Sequence, residues 1–188
     1  SLTVGKNVTI GDSAFMGASK LVSVRLGSGA TLGEQAFFNA PCLKDIDLSG
    51  VKSIGARAFS GDVLYTYSDM AGTIVALDEN GYYIYHYYSA GLENINLSSL
   101  KFLGEDVFTN CESLTSVKLG TGLAEISANA FMNCQKLSSI NLENVKVIRT
   151  AYGEYKTVSQ LKKADTARAF TAKNDIKGAE SYMIQYRQ

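Results

Sequence analysis

Apolar residues recur along the chain in one fixed frame, Leu-x-x-(Ile/Val)-x-Leu. Its last three positions alternate apolar, polar and apolar, which is the period of a short β-strand with one buried face. Five complete copies are present: Leu21-Val24-Leu26, Leu43-Ile46-Leu48, Leu92-Ile95-Leu97, Leu114-Val117-Leu119 and Leu137-Ile140-Leu142. Leu2 and Val4 fit the end of an earlier copy. The pattern predicts one short strand in each copy.

A second frame, Gly-x-x-Ala-Phe, keeps register with the first. It occurs at Gly11–Phe15, Gly33–Phe37, Gly55–Phe59, Gly104–Phe108 (with Val107 for Ala) and Ser127–Phe131 (with Ser for Gly). Successive phenylalanines lie 22, 22, 49 and 23 residues apart. One such unit cannot bury its own apolar face, but stacked units can cover one another. The repeat therefore predicts a stack whose strands pair in parallel about 4.8 Å apart.

Together the two frames resemble the leucine-rich repeat family, and within it the BspA-like branch of bacterial surface proteins. The resemblance covers residues 2 to 148, outside one insertion. It is carried by the strand frame, by the runs Ile10–Phe15 and Ile54–Phe59, and by the pairs Asn110-Cys111 and Asn133-Cys134. The usual proline after the strand is missing, and Ser28, Gly50, Ser99, Thr121 and Asn144 lie nearby instead. The resemblance implies an α/β-type repeat solenoid, a right-handed curved stack of short parallel strands with about six rungs.

We expect residues 1–148 to form this solenoid, with a β-rich insertion at 61–90 and a C-terminal capping segment at 149–188. The insertion holds seven of the eleven tyrosines: Tyr65, Tyr67, Tyr82, Tyr83, Tyr85, Tyr87 and Tyr88. Its β-prone segments and the turn signal at 78–81 predict a hairpin or three-stranded flap.

The tyrosines of the insertion are candidate ligand contacts, because a phenol ring offers an amphipathic surface to a sugar or a protein partner. The candidates are Tyr65, Tyr67, Tyr83, Tyr85 and Tyr87. The alternative interpretation is a degenerate repeat whose tyrosines cover the flank of the stack.

The C-terminal segment is basic. Residues 149–188 carry eight Lys or Arg and four Asp or Glu, whereas residues 1–148 carry 10 and 14. A solenoid needs an end unit with one polar face, which favours a cap. A docking segment for a partner or a neighbouring domain is the alternative.

Charge and motif content restrict the function. The chain has 18 Lys plus Arg and 18 Asp plus Glu, which gives no support to nucleic acid or an anionic membrane as partner. It contains no apolar run of about 18 residues, so membrane insertion is not expected. With one histidine, His86, no nucleotide-binding loop and no Cys-x-x-Cys spacing, the sequence predicts no cofactor, no metal and no catalytic residue.

Two positions of the repeat have a structural interpretation. Cys111 and Cys134 occupy the place held by Ala18 and Ala40 in earlier copies, which predicts small buried thiols in the core; a disulfide is the alternative. Asn39, Asn110 and Asn133 precede this place. They predict a stacked ladder whose amides satisfy the backbone of the turn.

The outward positions of the strands form one polar face. Its candidate ligand contacts are Arg25, Asp45, Asp47, Asn96 and Lys118. Asp45 and Asp47 point the same way and could hold a cation or act as an acid pair. A solvated surface is the competing interpretation.

The sequence thus favours a non-enzymatic recognition or adhesion module that is secreted or exposed on the cell surface. It would bind a host or cell-surface protein or glycan through the solenoid face or the tyrosine-rich insertion. The resemblance implies the same, because BspA-like proteins are associated with the bacterial cell surface and attachment. The chain opens at Ser1 without a leader, as expected of a mature or trimmed product. Two alternatives stay open: a structural spacer with no ligand of its own, and an enzyme acting through Asp45, Asp47 or His86.

Overall fold

The computed structural model describes residues 1–62, 89–150 and 153–155. These residues form short β-strands, two in each repeat. The first row contains the Leu-x-x-(Ile/Val)-x-Leu frame: β1 (Leu2–Val4), β3 (Ser23–Leu26), β5 (Asp45–Ile46), β7 (Asn94–Leu97), β9 (Ser116–Leu119) and β11 (Ser139–Ile140). The second row lies just before the second frame: β2 (Thr9–Ile10), β4 (Thr31–Leu32), β6 (Ser53–Ile54), β8 (Phe102–Leu103), β10 (Glu125–Ile126) and β12 (Val147–Thr150). The last described strand is β13 (Gly153–Tyr155).

Within each row, equivalent residues of successive repeats pair in parallel. In the first row, Val24 pairs with Leu2 on one side and with Ile46 on the other. The row consists of two sheets, ordered β1-β3-β5 and β7-β9-β11. The second row runs β2-β4-β6-β8 and then continues as β10-β12. The predicted parallel stack of about six rungs is confirmed, and the second row is a feature that the sequence analysis did not predict.

Tight turns fill the Gly-x-x-Ala-Phe frame, where a leucine-rich repeat of α/β type would carry a helix. The third residue of every copy has a φ between 55° and 57°: Ser13, Gln35, Arg57, Asp106 and Asn129. A residue in the left-handed region interrupts a right-handed helix. Hydrogen bonds from Ala14 N–H to Gly11 O and from Met16 N–H to Ser13 O close successive turns instead. The described residues contain no helix, so the expected α/β character is corrected to a β-solenoid for this part of the chain.

The phenylalanines of the second frame form one continuous stack through the core. Ring centroids of successive phenylalanines lie 5.4 to 5.5 Å apart, and their planes are within 9° of parallel: Phe15, Phe37, Phe59, Phe108 and Phe131. Phe37, Phe59 and Phe108 have no solvent-accessible surface. The prediction that these rings fill the interior is confirmed.

The glycine of the second frame is required by close approach between rungs. A Cβ on Gly33 would lie 2.6 Å from the amide nitrogen of Asp12, and one on Gly55 would lie 2.5 Å from that of Glu34. A Cβ on Gly11, in the first rung, would meet no atom within 4 Å. Glycine is therefore needed at Gly33 and Gly55, where the turn of the preceding rung lies this close.

Serine at the fifth copy coincides with a change in the second row. The hydroxyl of Ser127 donates a hydrogen bond of 2.5 Å to the carbonyl of Leu103. At the earlier copies the glycine N–H donates the equivalent bond, as from Gly104 to Ile54 O at 2.8 Å. The side chain thus replaces a backbone donor, and β10 is not hydrogen-bonded to β8 as a sheet neighbour.

The insertion affects the two rows differently. In the second row β6 pairs directly with β8, with Ile54 beside Leu103. In the first row β5 and β7 belong to separate sheets. The chain leaves the stack after Gly61 and rejoins it where Ala90 N–H donates to Phe59 O at 3.0 Å. The first row is therefore interrupted between the two rungs that flank the insertion.

Parallel pairing ends at β12, because its next neighbour β13 is antiparallel to it. Arg149 on β12 forms a two-point ion pair with Glu125 on β10, including a hydrogen bond of 3.1 Å from Nη2 to Oε2.

Most of the expected insertion and of the capping segment 149–188 lies outside the described residues. The described chain has no helix of the length and apolarity that a membrane span requires.

Candidate functional site

Arg25 and Asp45, two of the predicted ligand contacts, bind each other. They lie on neighbouring strands β3 and β5, and Arg25 Nη2 donates to Asp45 Oδ2 at 2.6 Å. This hydrogen bond lowers the pKa of Asp45 and raises the pKa of Arg25. Both side chains are more than half exposed, so the pair remains accessible to solvent. Asp45 is thus paired with a cation, and the acid pair with Asp47 is not formed.

Asp47 and Asn96 stabilise the turns that follow their strands. Asp47 Oδ1 accepts a hydrogen bond of 2.9 Å from Ser49 N–H, and Asn96 Oδ1 accepts one of 3.1 Å from Ser98 N–H. The bonds from Ser49 lower the pKa of Asp47. Each turn is closed by an i→i+3 bond, such as Val51 N–H to Leu48 O at 3.1 Å. These side-chain bonds stabilise the turns that follow β5 and β7.

Lys118, another predicted strand-face residue, is exposed and forms no ion pair with any described residue. It lies beside Asn96 in the register of β7 and β9. Nearby, Asn94 Oδ1 accepts hydrogen bonds from the hydroxyls of Thr115 and Ser116. The strand face is therefore divided: Arg25, Asp45 and Asp47 belong to one side of the break in the first row, and Asn96 and Lys118 to the other.

The five predicted tyrosine contacts lie outside the described residues: Tyr65, Tyr67, Tyr83, Tyr85 and Tyr87. The structure does describe a cleft of about 360 Å³ at the base of the insertion, which we call the base cleft. It is lined among others by Arg57, Asp62, Asp106 and Thr109. Asp62 is fixed by Asn39, whose Oδ1 accepts from Asp62 N–H at 2.8 Å. The guanidinium of Arg57 lies 4.6 Å from the centre of the Phe38 ring.

A second, larger cleft of about 500 Å³ follows the turns after the first-row strands, and we call it the turn groove. Its lining includes Ser28, Lys52, Ser98, Ser99, Lys101 and Thr121. From the sequence, Ser28, Ser99 and Thr121 were identified only as replacements for proline, and the two lysines were not identified. The signal was present, because Lys52 and Lys101 hold the same position of two adjacent rungs.

The thiols and asparagines have the structural roles that the repeat predicted. Cys111 and Cys134 are free and buried, and each Sγ donates to a carbonyl of an earlier rung, Phe59 O at 3.5 Å and Phe108 O at 3.1 Å. Burial raises the pKa of Cys111 far above its ordinary value. The disulfide alternative is therefore wrong.

The asparagine ladder is confirmed at one step, between Asn133 and Asn110, whereas the side chain of Asn39 bonds Asp62. Asn133 Nδ2 donates to Asn110 Oδ1 at 2.8 Å, and Asn110 Nδ2 donates to Gly61 O at 3.1 Å. Asn39, Asn110 and Asn133 all have positive φ, a conformation that asparagine tolerates better than most residues.

The described residues contain no group of three His, Cys, Asp or Glu side chains that could hold a metal ion.

A family model described as the BspA type leucine rich repeat region matches residues 1–80 and 80–175, in six copies. No curated protein matches the chain. Among solved structures, a Treponema pallidum leucine-rich repeat protein is 23% identical, with a TM-score of 0.42 over 73% of this chain, which spans 63% of that protein. A leucine-rich repeat protein from Eubacterium ventriosum is 12% identical, with a TM-score of 0.21 over 79% of this chain and 85% of its own. Because the family model matches most of the sequence, the chain belongs to the BspA-type leucine-rich repeat family.

Proposed function

We propose that this chain is a non-enzymatic recognition module, secreted or held on the cell surface, that binds a protein or a glycan. Its family supports the broader role, because BspA-type leucine-rich repeats are interaction scaffolds. The proposed ligand contacts are the tyrosines of the insertion, joined by exposed polar residues of the solenoid.

The observation that carries the proposal is the direct contact between the rungs on either side of the insertion. Phe59 stacks on Phe108, and Ile54 pairs with Leu103, so no strand lies between these rungs in the second row. The second row and the phenylalanine stack are therefore continuous between these two rungs. A tyrosine-rich segment inserted between rungs that already contact each other can serve recognition, for which tyrosine is well suited.

The test is a screen of the full chain against arrays of glycans and extracellular-matrix proteins, followed by two variants. In the first, residues 63–88 are replaced by a short Gly-Ser linker between Asp62 and Ser89. In the second, the control, Lys20→Gln and Lys136→Gln alter exposed residues away from both clefts. The proposal expects a ligand whose affinity falls with the deletion and is unchanged in the control. Absence of any ligand, or equal binding by all three proteins, would contradict a role for the insertion.

The strand face gives some support to the second candidate, a structural spacer. Arg25, Asp45, Asp47 and Asn96 all make hydrogen bonds within the chain. If the strand face binds no ligand, Arg25→Ala and Lys118→Ala leave the affinity for every array ligand unchanged. A loss of affinity in either variant would instead assign the strand face to recognition.

A further inference from the structure

The turn groove crosses several rungs of the solenoid. Ser28 comes from the second rung, Lys52 from the third, Ser99 and Lys101 from the fourth, and Thr121 from the fifth. Rungs of a parallel stack are about 4.8 Å apart, so the groove extends over roughly 15 Å. Its shape suits an extended chain that lies across the rungs.

Two lysines without an ion-pair partner among the described residues come from adjacent rungs of this groove. Lys101 N–H donates to Lys52 O at 2.9 Å, which fixes the two residues as neighbours on adjacent rungs. Both side chains are exposed, neither forms an ion pair with a described residue, and no acidic side chain lines the groove. Lys52 Nζ lies 3.3 Å from where a Cβ on Gly29 of the second rung would be, and Lys101 Cγ lies 3.7 Å from where one on Gly122 of the fifth rung would be. The two lysines therefore spread positive charge along the groove, where an acidic chain lying across the rungs can contact both.

The rest of the lining consists of hydroxyls, glycines and one asparagine. The hydroxyls of Ser28, Ser99 and Thr121 make no hydrogen bond to any described residue, although each is exposed at the groove. Gly50 allows close packing at its floor, where a Cβ would lie 3.0 Å from Ser28 Cα. The lining contains no apolar side chain that could anchor a protein partner, since such anchors are mostly large aromatic groups and arginine.

We infer that the turn groove binds an acidic polysaccharide, with its carboxylate or sulfate groups on Lys52 and Lys101 and its sugar hydroxyls on Ser28, Ser99 and Thr121. This inference rests on the proposed recognition function and adds a ligand class and a site separate from the insertion. Each lysine supplies a positive charge and N–H donors. The serine and threonine hydroxyls can both donate hydrogen bonds to sugars and accept hydrogen bonds from them.

The experiment measures binding of the full chain to four immobilised probes: a heparin oligosaccharide, hyaluronan, neutral dextran and a phosphoserine peptide. Heparin carries sulfate and carboxylate, and hyaluronan carries carboxylate alone, so the two separate the possible anionic groups. The groove variant is Lys52→Gln with Lys101→Gln, and the matched control is Lys20→Gln with Lys136→Gln. Circular dichroism and the melting temperature verify that all variants are folded.

We expect heparin, hyaluronan or both to bind the wild type and the control, to bind the groove variant about tenfold more weakly, and to lose affinity at high salt. Lys52→Arg with Lys101→Arg should keep most of the affinity. The inference is overturned by absence of binding to both polysaccharides, by equal losses in groove and control variants, or by preference for the phosphopeptide. A ligand whose affinity falls only when residues 63–88 are deleted would support the proposed function and would contradict the turn groove as a binding site.

Discussion

Phe59 and Phe108 are 49 residues apart in the sequence, yet their rings stack with centroids 5.4 Å apart and planes within 1° of parallel. This geometry is close to that of phenylalanines in repeats without an insertion between them, such as Phe37 and Phe59 at 5.5 Å and 8°. The repeat therefore resumes after the insertion without a change of register in its core.

Phe59, in the middle of the stack, should contribute more to the stability of the fold than Phe15 at its end. Phe59→Ala removes a fully buried ring with a stacking partner on each side and should lower the free energy of unfolding by about 3–5 kcal/mol. Phe15→Ala, at the start of the stack, removes a partly exposed ring with one partner and should cost clearly less. Urea denaturation of both variants measures the difference. Equal costs would show that the stack is not a shared core.

The glycine of the second frame provides a matched pair of substitutions. Gly55→Ala places a methyl group against the backbone of Glu34 and should destabilise the fold by about 1–3 kcal/mol. Gly11→Ala meets no atom within 4 Å and should be neutral or slightly stabilising. Thermal melts of the two variants compare them. A harmless Gly55→Ala would mean that the rungs are further apart than described.

The three cysteines should react at very different rates. Cys42 is exposed and should react rapidly with a thiol reagent in the native protein, which makes it an internal control. Cys111 and Cys134 are buried, and the raised pKa of Cys111 further suppresses its thiolate, so both should react only as the protein unfolds. Mass spectrometry identifies the labelled sites. Rapid labelling of Cys111 in the native protein would contradict its place in the core.

The carboxylate of Asp47 should contribute stability that depends on pH. Its pKa is lowered in the folded state, so the contribution is complete above its unfolded pKa of about 3.9 and is lost as pH falls through the lower folded value. Asp47→Ala should cost about 0.5–1 kcal/mol at neutral pH by removing the bond to Ser49.

Asp47→Asn is the control for that turn, because Asn96 already makes the equivalent bond with a neutral amide. Its stability should stay near that of the wild type and should lose the pH dependence that Asp47 contributes. Chemical denaturation between pH 3 and pH 7 follows both variants. If the asparagine variant is as unstable as the alanine variant, the side-chain bond is not what holds the turn.

The sequence predicts the features that depend on exact periodicity. Strand positions such as Val24 and Ile46, the phenylalanine stack and the thiols of Cys111 and Cys134 follow from matching copies of one unit. The second row was missed because its members, such as Thr9–Ile10, are two residues long and have no period of their own. The left-handed turn residues were missed because Ser13, Gln35 and Arg57 share no side-chain chemistry.

The ligand surfaces were harder to predict than the core. Outward strand positions were identified correctly, but the partners of Arg25 and Asp47 depend on the distance between neighbouring rungs and on the turn that follows. The turn groove arises only when Lys52 and Lys101 are brought onto adjacent rungs across the insertion. Because the two lysines are 49 residues apart in the sequence, only an alignment of equivalent repeat positions relates them.

The most direct test of a core that is continuous across the insertion is the stability of the chain in which a short Gly-Ser linker replaces residues 63–88. Loop length carries only a weak entropic cost, and Phe59, Phe108, Ile54 and Leu103 keep their contacts. We expect one cooperative urea transition, with a midpoint close to that of the full chain. Two separate transitions, or aggregation in place of folding, would contradict the continuous core.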